Sequence, residues 1–318
     1  MSVNAFLFPG QGSQSVGMGS ELAAAFLTAR EVFEEVDETL HQKLSTLMFE
    51  GPAEELTLTE NAQPALMAVS LAVLRVLERE VGIALKDRVL VVAGHSLGEF
   101  SALAATGSLT IPAAARLLRR RGEAMQRAVP PGEGAMAALI GAELEQANAI
   151  CVEAEAGPEG REVVAVANDN GGGQVVISGA REAVVRAAAL AKERGVRRAM
   201  MLPVSAPFHC PLMEPAAGAL AEALAETEFR APAVPIVANV TAQQTSDPAE
   251  IRALLVQQVT GLVRWRESVM TMLGMGAENF VELGAGKVLS GLVHRIVPDV
   301  TVQAAGTPAE IEALVKAI

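Results

Sequence analysis

The chain has no tyrosine, one tryptophan and nine phenylalanines among 318 residues. So few aromatics leave little with which to stack single-stranded bases. Basic charge is also short. Lys and Arg number 25 against 37 Asp and Glu, a net charge of −12 with a pI near 4.9. Phosphate affinity comes from clustered Lys and Arg, so no nucleic-acid partner is expected. The two cysteines, Cys151 and Cys210, are too few for a disulfide framework or a Cys-rich zinc site. No apolar run approaches the ~18 residues of a membrane span. The opening MSVNAFLFPGQGSQ has neither a basic n-region nor a small-residue cleavage site. The expectation is a cytoplasmic chain without a membrane partner. Hydrophobic residues make up 51% of it, which excludes bulk disorder. At roughly 150 residues per domain the length suggests about two domains, enough for a core without staples.

Apolar runs at 3–8 (VNAFLF) and 88–93 (RVLVVA) read as buried strands, each ended by turn residues. Helical periodicity covers 20–40, 61–81, 97–106 and 112–128. The rhythm then changes. Strands are expected at 135–140, 163–168, 174–178 and 198–204, with helices at 143–155 and 181–194. That βαββαβ order is the split βαβ pattern of a ferredoxin-like unit, placed as an insert over 132–206. Beyond it come helix 212–227, strand 234–239, helices 248–258 and 265–274, strand 278–283, helix 287–296, strand 300–304 and helix 308–317. Residues 1–131 and 207–318 therefore form one large α/β domain, with a mostly parallel sheet covered by helices on both faces.

Gly94-His95-Ser96-Leu97-Gly98 is a G-x-S-x-G box lying after an apolar strand and before a helix. That context turns a short motif into a nucleophile elbow, with Ser96 lifted to a helix N-terminus. The bland alternative is an ordinary tight turn. The loop Pro9-Gly10-Gln11-Gly12-Ser13-Gln14 lacks the Gly-Lys-Ser/Thr of a phosphate loop. It reads either as a flexible turn or as the source of a backbone N–H beside Ser96. Gly284-Ala285-Gly286-Lys287 fails as a dinucleotide box for want of its third glycine.

Two of the four histidines compete as the base. His209 lies in the proline-braced Ala206-Pro207-Phe208-His209-Cys210-Pro211, whose rigidity suits a positioned side chain. His294 with Asp247 completes the usual hydrolase order of Ser, acid, His. The only Asp placed to serve His209 in that order is Asp169, in a hairpin turn. Arg119, Arg120 and Arg121 together span about 200° of a helix, so at least one is expected to point inward and to want a carboxylate.

These stretches together resemble the malonyl-CoA:acyl-carrier-protein transacylases and the related acyltransferase domains of fatty-acid and polyketide synthases. The resemblance runs nearly end to end. It rests on FPGQGSQ at 8–14, GHSLGEFSAL at 94–103, RRRG at 119–122, GQVVISG at 173–179, SAPFHCPLM at 205–213, VRW at 263–265 and ELGAGKVLSGLV at 282–293. The family departs from this chain at Thr260-Gly261-Leu262, where many members carry Asn-Pro, and at Gly171-Gly172, where Ser-Pro is common.

The resemblance implies a hydrolase-like core with a ferredoxin-like insert. It implies Ser96 as the acylated nucleophile, His209 as its base and Arg121 as the clamp on a malonyl carboxylate. It further implies the backbone N–H groups of Gln11 and Leu97 as an oxyanion hole, and the Gln258 carbonyl as the group orienting His209. Phe208 is the implied determinant of acyl selectivity. Malonyl-CoA would be a substrate rather than a resident cofactor, with no metal needed. The acceptor would be acyl carrier protein in its 4'-phosphopantetheine form, and a monomer is expected. Carrier protein is acidic in this family's systems, so its docking would need a local basic patch. Lys192, Arg194, Arg197, Arg198 and Lys287 are the candidates. The rival class is a carboxylesterase or thioesterase using water and the Asp247–His294 pair.

Overall fold

The computed structural model describes residues 3–158 and 160–317. A six-stranded sheet forms its centre, in the order Gln244–Thr245, Ile236–Val237, Val89–Gly94, Asn4–Phe8, Asn279–Leu283, Thr301–Ala305. All neighbours are parallel except the edge pair Gln244–Thr245 with Ile236–Val237. The inner strands Asn4–Phe8 and Val89–Gly94 are near-continuous apolar runs because both faces are covered. Phe6, Phe8 and Val92 face the larger cluster, which takes in Leu66, Val69 and Phe100. Ala5, Leu7, Val91 and Ala93 face the other way, onto Trp265, Val269, Leu289 and Val293.

The second sheet has four antiparallel strands, ordered Val164–Asp169, Gln174–Ala180, Gly134–Ile140, Arg198–Met201. Numbered along the chain this is the order 2-3-1-4, that of a split βαβ unit. Alternation along Gly134–Ile140 divides its side chains between two cores. Ala135, Ala137 and Leu139 pack with Ile150, Ile177 and Ala187 from the unit's own strands and helices. Met136 and Ala138 instead join the large cluster of the main body. The three glycines of the hairpin turn, Gly171, Gly172 and Gly173, all take positive φ (72°, 58°, 71°), a backbone that other residues rarely adopt.

Several sequence expectations change in detail. The helix expected over 20–40 is two, Ser20–Ala25 and Leu27–Leu40, because Phe26 is extended between them (φ −129°, ψ 124°). Helices Leu44–Glu50 and Ala53–Thr57 form where none was expected. The strand expected over 234–239 shortens to Ile236–Val237, and that over 198–204 to Arg198–Met201. Among the described residues no helix is long and apolar enough to cross a membrane. Nor is there a cluster of three or more His, Cys, Asp or Glu placed to hold a metal ion.

The turns that follow Asn4–Phe8, Val89–Gly94 and Asn279–Leu283 meet at the carboxyl edge of the parallel sheet. This is where open α/β sheets form their crevices. A cleft of about 540 Å³ opens there, roofed by Met136 and Val176 of the second sheet.

Candidate active site

Ser96 stands at the head of strand Val89–Gly94 in a left-handed conformation, φ 53°. Such a conformation costs a non-glycine residue on the order of 1–3 kcal/mol and persists only where its surroundings impose it. The two flanking glycines permit the turn. A Cβ on Gly94 would lie 1.9 Å from backbone atoms of Gly98, and one on Gly98 would lie 2.1 Å from the Phe8 carbonyl oxygen. The G-x-S-x-G spacing is therefore a steric requirement of this turn. The Ser96 N–H donates to Asn239 Oδ1 at 2.8 Å, and Asn239 Nδ2 donates to the Gly94 carbonyl at 2.7 Å.

His209 reaches the same point from the connector that leaves the second sheet. Its Nε2 is 2.7 Å from Ser96 Oγ, and its Nδ1 is 2.7 Å from the Gln258 carbonyl oxygen. A carbonyl can only accept, so Nδ1 carries the proton and Nε2 presents a lone pair to the serine hydroxyl. Burial, reinforced by the nearby Arg121 charge, pulls the His209 pKa down to about 3. The imidazole is neutral at pH 7.

Arg121 is the arginine that points inward. It is 2% exposed, whereas Arg120 is exposed and paired with Glu226. Its guanidinium donates to Gln63 Oε1 at 2.7 Å, Gln258 Oε1 at 2.9 Å and Ser96 Oγ at 3.1 Å. No carboxylate bonds it directly among the described residues, and its Nε has no partner. Burial lowers its pKa to about 10, so it stays charged at neutral pH.

Gln11, Leu97 and Phe208 line the same cleft as Ser96, Arg121 and His209. The Gln11 side-chain carbonyl is held by Thr59 Oγ1 at 3.0 Å. Gln258 was expected to offer only its backbone carbonyl. Its side chain does more, donating from Nε2 to the Ser96 carbonyl at 3.0 Å and to Glu99 Oε2 at 2.8 Å.

The alternative pair does not meet. Asp247 caps helix Pro248–Thr260, accepting from Ala249 N at 2.9 Å, and His294 is exposed near the end of helix Val288–Ile296. Asp169 is tied to Arg266 at 2.9 Å. Of the basic candidates for docking, Arg194 is paired with Glu153 and Lys287 with Glu310, and all five are exposed. Sequence reading missed Gln63, Glu99 and Asn239. Gln63 and Glu99 carried a signal, each being a polar residue set against a run of apolar helix positions. Asn239 carried none.

Residues 5–313 match the family described as the acyl transferase domain. The chain is 46% identical over 318 residues to the malonyl CoA-acyl carrier protein transacylase of Bacillus subtilis strain 168, covering all of this chain and 98% of the relative. It superposes on the acyl-carrier-protein S-malonyltransferase of Bartonella henselae with a TM-score of 0.95, at 53% identity over 99% of both chains. A malonyl-transacylase solved in complex with its type II polyketide-synthase acyl-carrier protein gives a TM-score of 0.95 at 41% identity, covering 100% of each chain. By sequence over its whole length, and by fold at high identity, the chain belongs to the acyl transferase family, among the malonyl CoA-acyl carrier protein transacylases.

Proposed function

We propose that this acyltransferase moves a malonyl group from malonyl-CoA to the phosphopantetheine thiol of acyl carrier protein, through an ester on Ser96. The observation that carries the substrate is Arg121. A fully buried guanidinium reaches to within 3.1 Å of the nucleophile without a directly bonded carboxylate, and a malonyl carboxylate supplies the missing partner. Gln63 and Gln258 hold the guanidinium and leave its charge for the substrate.

His209 Nε2 takes the hydroxyl proton as Ser96 Oγ attacks the thioester carbonyl. The backbone N–H groups of Gln11 and Leu97 face the developing oxyanion, a type of contact worth several kcal/mol where measured in other enzymes. The proton passes to the CoA sulfur, which leaves. In the second half the carrier thiol gives its proton to His209 as its sulfur attacks the ester carbonyl. That proton passes to Ser96 Oγ as the ester bond breaks and the malonyl group leaves on the carrier. No acidic residue is needed, because the Gln258 carbonyl fixes the imidazole tautomer. The substrate carboxylate also offsets the Arg121 charge that depresses His209, so the base strengthens once malonyl is bound.

Phe208 walls the acyl end of the cleft and narrows it against α-branched groups. Lys192, Arg197 and Arg198 are the exposed cations on the docking face, and residues 132–206 act as an inserted domain that carries them. The protein works in the cytoplasm as a monomer. Incubation with labelled malonyl-CoA, with and without carrier protein, tests the reading: label should appear on the enzyme and then move to the carrier. Label that appears only as free malonate would support the hydrolase class instead.

A further inference from the structure

Glu99 is a buried carboxylate outside the cleft. It lies in the first turn of Gly98–Ala105, where it is the one ionisable residue, and is 1% exposed. Oε2 accepts from Gln258 Nε2 at 2.8 Å and from Asn239 N at 3.2 Å, while Oε1 has no partner among the described residues. Burying an acid costs free energy that a neutral residue would not incur. What the carboxylate offers in return is a strong acceptor at the hub of the site.

That hub is Gln258. Its backbone carbonyl accepts from His209 Nδ1–H, its Oε1 accepts from Arg121 Nη2, and its Nε2 donates to the Ser96 carbonyl. A side-chain amide can be turned either way. Turned over, it would aim N–H at the guanidinium and oxygen at the Ser96 carbonyl, both repulsive. Glu99 and Asn239 Oδ1 (3.3 Å) add acceptors on the Nε2 side. Asn239 in turn holds the Ser96 N–H. Each side chain hydrogen-bonded to the serine is thus either gripped by the Glu99 carboxylate or one bond from a residue that it grips, and the Glu99 N–H itself donates to the Ser96 carbonyl at 3.1 Å.

We propose that Glu99 is a positioning residue for acyl transfer, whose carboxylate locks Gln258 and Asn239 in the one arrangement that serves Ser96, His209 and Arg121 together. The proposal rests on the functional reading above. It has a titration signature. Burial pushes Glu99 up to about 7, against the opposing pull of Gln258, Asn239 N–H and Arg121. In the unliganded site the other titratable groups lie away from that range; bound malonyl raises His209, so only a limb that Glu99→Gln removes is assigned to Glu99. Arg121 is at about 10, His209 at about 3, and His95 is lowered by its burial. Protonated Glu99 is a weaker acceptor, so the arrangement loosens as pH falls through about 7.

The test is single-turnover malonylation of the full-length wild type and Glu99→Gln, followed by intact mass from about pH 5.5 to 9. Gln is isosteric with the protonated acid. The wild type should show an acid limb near pH 7. The folded variant should be slower by about 10–100-fold at pH 8, the scale of a charge-assisted hydrogen bond, and should lack that limb. A purely structural role would lower stability without removing the limb. A folded Glu99→Gln protein with wild-type rate, or with the limb unmoved, overturns the proposal. Should the variant fail to fold, the wild-type profile decides: a rate flat through pH 7 also overturns it. A wild type that takes no malonyl at all overturns the functional reading, and the Glu99 proposal with it.

Discussion

Arginines and acids are arranged differently in two regions of this molecule, the surface of the four-stranded unit and the buried ground beneath Ser96. On the four-stranded unit Arg161–Glu155, Arg186–Glu162 and Arg194–Glu153 form ion pairs at the surface, with the Arg194 and Glu153 side chains 41% and 47% exposed. Beneath Ser96, Arg121 and Glu99 are almost wholly buried and communicate through Gln258 instead of touching. Exposed pairs contribute about 0–1 kcal/mol, because water competes and side-chain entropy is lost. Breaking a buried network leaves a charge without compensation and costs several kcal/mol. The same residue types therefore pair at the surface in one place and are buried, linked through one glutamine, in the other.

The sharpest break of that contrast is Ser96→Ala. It removes the acyl-accepting atom, so no malonyl adduct should form, and intact-protein mass spectrometry after malonyl-CoA treatment reads this directly. An adduct persisting on the variant would move the nucleophile elsewhere.

His209→Ala should follow, lowering kcat by orders of magnitude because the serine must then attack without a base. His294→Ala, on an exposed helix end, should cost on the order of 1 kcal/mol of stability at most and leave turnover intact. Steady-state rates of the two variants separate the pairs, and the reverse ranking would restore the hydrolase-type triad.

Phe208→Ser should raise methylmalonyl relative to malonyl transfer. One methyl group in a pocket is worth only ~1–3 kcal/mol, so competition between the two CoA esters should show a shifted ratio and not a switch. An unchanged ratio would remove Phe208 from the acyl pocket's selectivity.

The smallest effects come from pH and from the surface. His209 sits below its ordinary 6.5, so its contribution to stability is present above pH 6.5 and fades as pH falls toward 3. Glu99 sits above its ordinary 4.5, so its contribution is present below 4.5 and fades as pH rises through about 7. Between pH 4.5 and 6.5 the two oppose one another. His209→Asn removes only the first, so its stability relative to wild type should improve on acidification, as urea melts at a series of pH values would show. Arg194→Ala should change stability by about 0.5 kcal/mol or less.

The sequence spoke clearly where local physics decides the outcome. Gly94 and Gly98 mark the serine turn because no larger residue fits there. The unbroken apolar run of Gly134–Ile140 marks a strand buried on both faces. Three successive arginines forced one inward, although it was the resemblance that chose Arg121. The sequence was silent where tertiary contacts decide. Nothing local marks Phe26 as the break between two helices, and nothing in Val237-Ala238-Asn239 marks an asparagine that grips the serine N–H from 143 residues away. Glu99 was readable as a charge in an apolar helix, but its role depends on Gln258, 159 residues on.

The buried guanidinium of Arg121 is what would make this a site for a carboxylated acyl group. The direct measurement is kcat/KM for malonyl-CoA and for acetyl-CoA on wild type, Arg121→Ala and Arg121→Lys. Removing the guanidinium strands the malonyl carboxylate without a partner, so malonyl transfer should fall by a factor on the order of 10²–10⁴ while acetyl transfer holds or rises. Lysine should rescue poorly, since a point charge cannot reproduce the fork that donates to Gln63, Gln258 and substrate together. Parallel losses on both substrates would contradict the claim and leave Arg121 as a structural arginine.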